Sequence, residues 1–181
     1  MDGNFKKIAL VFIYSILVSC NKNEKTNTSV KDSKSIEQNL IVEGRKFIKQ
    51  NSNIIIDSIA SFDLRFMNPK VKEEKLTIGL IDSIYYKNIG NGSDKNFISF
   101  KLNKDDLADF KSEYQLNLIQ KNNKNSTVLY ITLSNFRIEN NVAEIRVKKV
   151  FGISMIQAIF YFKKENNVWV FKEKYLFGAI G

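Results

Sequence analysis

The last third of this chain fixes most of what it can fold into, because its apolar side chains recur at every second position over four successive segments. Leu129, Ile131 and Leu133 alternate with more polar neighbours, and Ala143, Ile145 and Val147 alternate with Glu144, Arg146 and Lys148. Such period-two patterning describes strands with one dry and one wet face. Ile156, Ala158, Phe160 and Phe162 form one face of a third strand, and Trp169, Phe171, Tyr175 and Phe177 one face of a fourth. Asn140-Asn141 and Asn166-Asn167 suit tight turns, since asparagine tolerates left-handed backbone, and Gly152 falls where the second and third strands must join. Four consecutive antiparallel strands with an aromatic inner face require a covering layer.

Two segments can supply that cover. Ile36, Leu40, Phe47 and Ile48 recur at helical spacing through 37–50, although Gly44 weakens a helix by about 1 kcal/mol relative to alanine. Asn103 can cap a second helix from Lys104, with Asp105 and Asp106 in its first turn and Leu107, Phe110 and Tyr114 on one face. Ile54-Ile55-Ile56 is ambiguous, and Phe62, Leu64 and Phe66 alternate as a strand would before Asn68-Pro69 ends that piece. The runs 76–87 and 97–102, separated by Gly90-Asn91-Gly92-Ser93, predict a hairpin, and 121–127 predicts a loop. About 145 residues from Ile36 onward are enough for one domain with its own core. The expected class is α+β: a curved antiparallel sheet ending in a four-strand meander, packed with one or two helices. An NTF2-like or cystatin-like architecture fits that element list by analogy, and a mostly β clam or small barrel is the alternative.

Ahead of the domain, Lys6 and Lys7 precede an apolar run of about 11 residues, short of the roughly 20 needed to span a bilayer. An uncleaved spanning helix and a secretory peptide cut without lipid attachment are the competing readings. The run closes on Leu17-Val18-Ser19-Cys20, which resembles the lipobox of bacterial lipoprotein signal peptides. That resemblance implies cleavage between Ser19 and Cys20, and a thioether-linked diacylglycerol and an acylated, palmitate-like amino group on Cys20. It divides the chain into a signal peptide (1–19), the lipidated cysteine with a disordered tether (20–35), and a globular domain (36–181). The tether expectation rests on composition, since 21–35 has Val30 as its sole hydrophobic side chain. The expected location is a bacterial cell envelope, lipid-anchored to the inner or outer membrane. Because Cys20 is the sole cysteine, no disulfide supports the fold.

Ser134 and Phe136, then Ala143, Gly152, an aromatic strand, Lys163-Lys164 and Trp169 resemble the carboxy-terminal half of small, uncharacterised lipoproteins of Bacteroidota. The resemblance implies the same placement and a similar sheet. It brings no activity with it.

The absence of histidine excludes histidine-based triads, histidine-ligated zinc and histidine general bases. With Cys20 acylated no thiol nucleophile remains, and Gly90 and Gly92 lack the context of a phosphate loop. No cofactor and no metal site is expected. Among carboxylates, capping accounts for Asp105-Asp106, and Glu73-Glu74 lies among lysines as a solvated loop. Asp57, Asp63 and Asp82 fall in apolar stretches, where wet-face positions or an acid/base pair are the two readings. Trp169, Tyr175, Phe100 and Tyr85, together with Tyr86, are the candidates to line a ligand groove, against the plainer reading of core aromatics. Most of the net charge of +9 reads as a solvated face, which an anionic membrane surface would still attract, and export argues against nucleic acid as a partner. The expected function is a non-catalytic module that binds a protein or small molecule; a carboxylate-dependent hydrolase of envelope glycans and a purely structural lipoprotein are the alternatives.

Overall fold

A computed structural model describes residues 25–57, 77–86, 97–112, 114–123, 125 and 127–180. The leader, Ser19, Cys20, the alternating Phe62, Leu64 and Phe66, Pro69 and the 90–93 loop lie outside the described residues. Two compact units divide the chain, Met1–Gln38 and Asn39–Gly181. Helix α1 spans Lys25–Ser52, longer than the predicted 37–50, and it takes in residues 25–35 that composition assigns to a tether. No glycine or proline interrupts that stretch, and extending an existing helix costs far less than starting one.

The second unit is mixed α+β. Its strands are β1 (Thr77–Ile81), β2 (Ser83–Ile84), β3 (Phe97–Ile98), β4 (Phe100–Lys101), β5 (Gln115–Ile119), β6 (Val128–Glu139), β7 (Val142–Phe151), β8 (Ser154–Glu165) and β9 (Val168–Ile180). Seven of them form one sheet in the order β5-β1-β6-β7-β8-β9, with β3 added on β6. The predicted meander is present: β6, β7, β8 and β9 pair antiparallel in sequence order. Asn140-Asn141 and Asn166-Asn167 turn its hairpins with φ between 49° and 63°, and Gly152 turns at φ 58°.

The sheet is mixed, however, and the expectation of a wholly antiparallel one is corrected. β1 lies between β5 and β6 and runs parallel to both, so 76–87 does not fold back on 97–102 along its length. What remains of that hairpin is the short antiparallel pair β2 and β4, Ser83 opposite Lys101 and Ile84 opposite Phe100. Strand β5 was not anticipated, although Leu116 and Leu118 alternate around Asn117. The second helix shrinks to a single 3-10 turn, Asp105–Leu107, because the chain must straighten again to enter β5 by Gln115.

The core lies between α1 and one face of the sheet. Phe47, fully buried, meets Phe136 at 4.9 Å, Phe162 edge-on at 4.8 Å and Trp169 edge-on at 5.5 Å. Ile78, Leu80, Leu129, Ile131, Leu133, Ile145, Val147 and Phe160 complete that face. Beyond Ser52 the chain makes a π-helical turn, Asn53–Asp57, that buries Ile55 and Ile56. Asn53 fastens it by donating to the Asp109 carbonyl at 3.2 Å and accepting from the Lys111 amide at 2.8 Å.

Bulges set which side chains face the helix. In β6 Asn135, at φ 50°, interrupts the pairing between Ser134 and Arg137, so Leu133 and Phe136 both point inward. In β9 Lys172 and Phe177 are the extra residues, since Phe162 pairs with Phe171 but Tyr161 with Glu173, and Ala158 with Leu176 but Gln157 with Gly178. The single face predicted for Trp169, Phe171, Tyr175 and Phe177 is therefore corrected. Trp169 and Phe171 share the helix side, whereas Tyr175 lies opposite Ile159 on the other.

Candidate functional site

Several carboxylates of the second unit, Glu43, Asp82 and Asp106 among them, are drawn into ion pairs, which fixes what they can do. Glu43, on α1, accepts from Lys164 Nζ at 2.6 Å and from Trp169 Nε1 at 3.2 Å, while Lys164 sits 5.4 Å from the Trp169 ring centre. The Lys164 hydrogen bond holds the Glu43 carboxyl below its ordinary range. Two positions along the helix, Arg45 pairs with Asp106, donates to the Lys101 carbonyl at 2.9 Å and lies over the Phe100 ring at 5.0 Å. Asp106 also accepts from the Asn103 amide at 2.9 Å, and its own amide donates to Asn103 Oδ1 at 3.0 Å. The sequence assigns Asn103 a capping role and Asp106 a first-turn position; the structure joins the two in a reciprocal cap that closes one turn and not a helix.

Asp82 is buried where a wet-face position was the plainer expectation. It is held by Lys101 Nζ at 3.1 Å and by the Ser83 hydroxyl at 3.0 Å. Those contacts, Lys101 first, depress its pKa, which suits a permanently charged strut and not a proton donor. Of its proposed partners, Asp63 lies outside the described residues and Asp57 is described in its backbone alone.

The four aromatic candidates are not brought into one groove. Trp169 is core, 5% exposed, and Phe100 is half-buried beneath Arg45 and against Gly44. Tyr85 is exposed, and its carbonyl accepts from the Asn135 amide at 2.9 Å. Tyr175 is 63% exposed on the sheet face away from Trp169.

What sequence reasoning missed is that Tyr175 belongs to an exposed apolar strand. β9 closes one end of the sheet among the described residues. Along its 13 residues Val168 is 53% exposed, Leu176 56%, and Phe171 and Phe177 more than a third. A long, apolar edge is uncommon on a monomer, since its free N–H and C=O groups invite another strand. On the face away from the helix Arg146 stacks 4.6 Å from the Phe177 ring, and its Nε is buried without a hydrogen-bond partner. Beside it Arg137 donates to Glu144 at 2.8 Å, and burial, then Glu144, pushes the Tyr161 hydroxyl up. The missed signal is legible in hindsight: Tyr175-Leu176-Phe177 are three consecutive apolar residues, so some must point away from the core.

Comparison of the chain with protein-family models finds no match, and comparison with curated proteins and with solved structures finds no significant match either.

Proposed function

We propose that this chain is a lipid-anchored protein of a bacterial cell envelope, held through Cys20, whose folded domain is a non-catalytic module that docks a partner along β9. Support for the anchor comes from Leu17-Val18-Ser19-Cys20 after an apolar run too short to span a bilayer. Support for a non-catalytic role comes from the sequence, which has no histidine, and from Glu43, Asp82 and Asp106, each neutralised by Lys164, Lys101 or Arg45. The observation that carries the docking reading is the exposure of Val168, Phe171, Tyr175, Leu176 and Phe177 on one edge strand. An added strand gains main-chain hydrogen bonds from such an edge and specificity from alternate side chains.

Photo-crosslinking in intact envelopes tests it. A benzophenone side chain at Tyr175 or Leu176 should give a discrete adduct, whereas the same group at Ile153, 92% exposed but off the strand, should give none. Adducts at all three positions alike, or at none, would overturn the reading.

A further inference from the structure

The edge of β9 carries its own complement. Resting on the docking reading above, we propose that the partner is a second copy of this chain, its β9 added antiparallel to the first across a two-fold axis. Apolar side chains crowd both faces of this edge: Phe171 and Leu176 on the helix side, Val168 and Tyr175 on the other. A flat surface touches one face, and hydrocarbon leaves edge N–H and C=O groups unsatisfied. A second strand extends both faces and supplies the missing partners.

The register follows from the bulge. In an unbroken antiparallel pair opposed residues share a face, so a strand pairs with itself about a residue and never between two. The extra residue at Lys172 shifts the second half of β9 by one, and the two halves then match about a centre between Lys172 and Glu173. Val168 falls opposite Phe177 of the other copy, Trp169 opposite Leu176, Val170 opposite Tyr175, Phe171 opposite Lys174 and Lys172 opposite Glu173. Trp169 and Leu176 both belong to the helix side, Val170 and Tyr175 both to the other. Each exposed apolar residue of β9 gains a neighbour, and the central charges meet as two lysine–glutamate pairs. Within one copy Lys172 bonds Glu165 of the neighbouring β8 at 2.7 Å, a contact that the pair with Glu173 of the other copy would replace or share. A slip of one residue would set every pair on opposite faces. The bulge and lysines that ordinarily guard an edge here select one register.

Sedimentation of the full chain in mild detergent should report a dimer. When Val170→Cys and Tyr175→Cys chains are mixed and oxidised, a disulfide should join them; neither alone should give one beyond the unmodified chain. Lys172→Glu should weaken the dimer about tenfold or more by opposing like charges, and adding Glu173→Lys should restore it. A monomer at about 100 µM, disulfides in the unmixed chains, or no rescue by the second substitution would overturn the inference. A monomer that still crosslinks through Tyr175 to a different protein would overturn the second copy and keep the docking strand. A chain with no adduct at Tyr175 would remove both.

Discussion

Gly44 decides how closely α1 approaches the sheet. A Cβ there would come within 3.0 Å of ring atoms of both Phe100 and Phe136, and Phe136 is fully buried with nowhere to yield. Helix propensity alone predicts that Gly44→Ala stabilises the protein by about 1 kcal/mol. Overpacking of a rigid core costs about 1 to 3 kcal/mol, and we expect it to win, leaving the variant net destabilised in urea titration. Glu43 makes a second prediction at this scale. Its pKa is depressed, mainly by Lys164, so its contribution to stability is fully present above the ordinary carboxylate pKa and is lost as pH falls through the lowered value. Glu43→Gln should flatten the fall in stability below about pH 4.5, measured through the fluorescence of the sole tryptophan, whose indole N–H bonds this carboxylate. An unchanged acid slope would assign the pH dependence to other groups.

The hairpin turns are the clearest test among the elements. Asn140, Asn141, Asn166 and Asn167 all sit at positive φ, a geometry that β-branched residues resist by about 1 to 2 kcal/mol each. Asn141→Val should lose about that much in thermal or urea unfolding, whereas Asn141→Gly should be neutral or slightly stabilising. These turns and the β6 to β9 meander were legible in the sequence because period-two patterning and asparagine turns are local signals. The parallel pairing of β1 with β5 and β6 was not, since it joins residues dozens of positions apart and β1 and β5 are only five residues long each. Nor was the facing of Tyr175, because a bulge resets the alternation without marking the sequence. The pairing of Glu43 with Lys164 and Trp169 escaped because its partners meet across more than a hundred residues. The capping role of Asn103 was readable, being local to the four residues that end at Asp106, but the length of its helix depended on β5 beyond it.

At the scale of the molecule, the proposal combines an anchor at Cys20 with a folded domain that carries an open strand. Phe47 ties that domain together, buried among Phe136, Phe162 and Trp169, and Phe47→Ala should cost about 3 to 5 kcal/mol, enough to unfold a domain of ordinary stability near its growth temperature. The proposed anchor would favour pairing through β9, because proteins confined to one bilayer meet at raised effective concentration and even a modest edge pairing becomes populated. All of that depends on Cys20. Intact mass and terminal-peptide spectrometry of the protein isolated from its native membrane tests the claim most directly. The account predicts a chain beginning at Cys20 with diacylglycerol on its sulfur and an acyl group on its amine; an uncut leader with a free Cys20 thiol would contradict it.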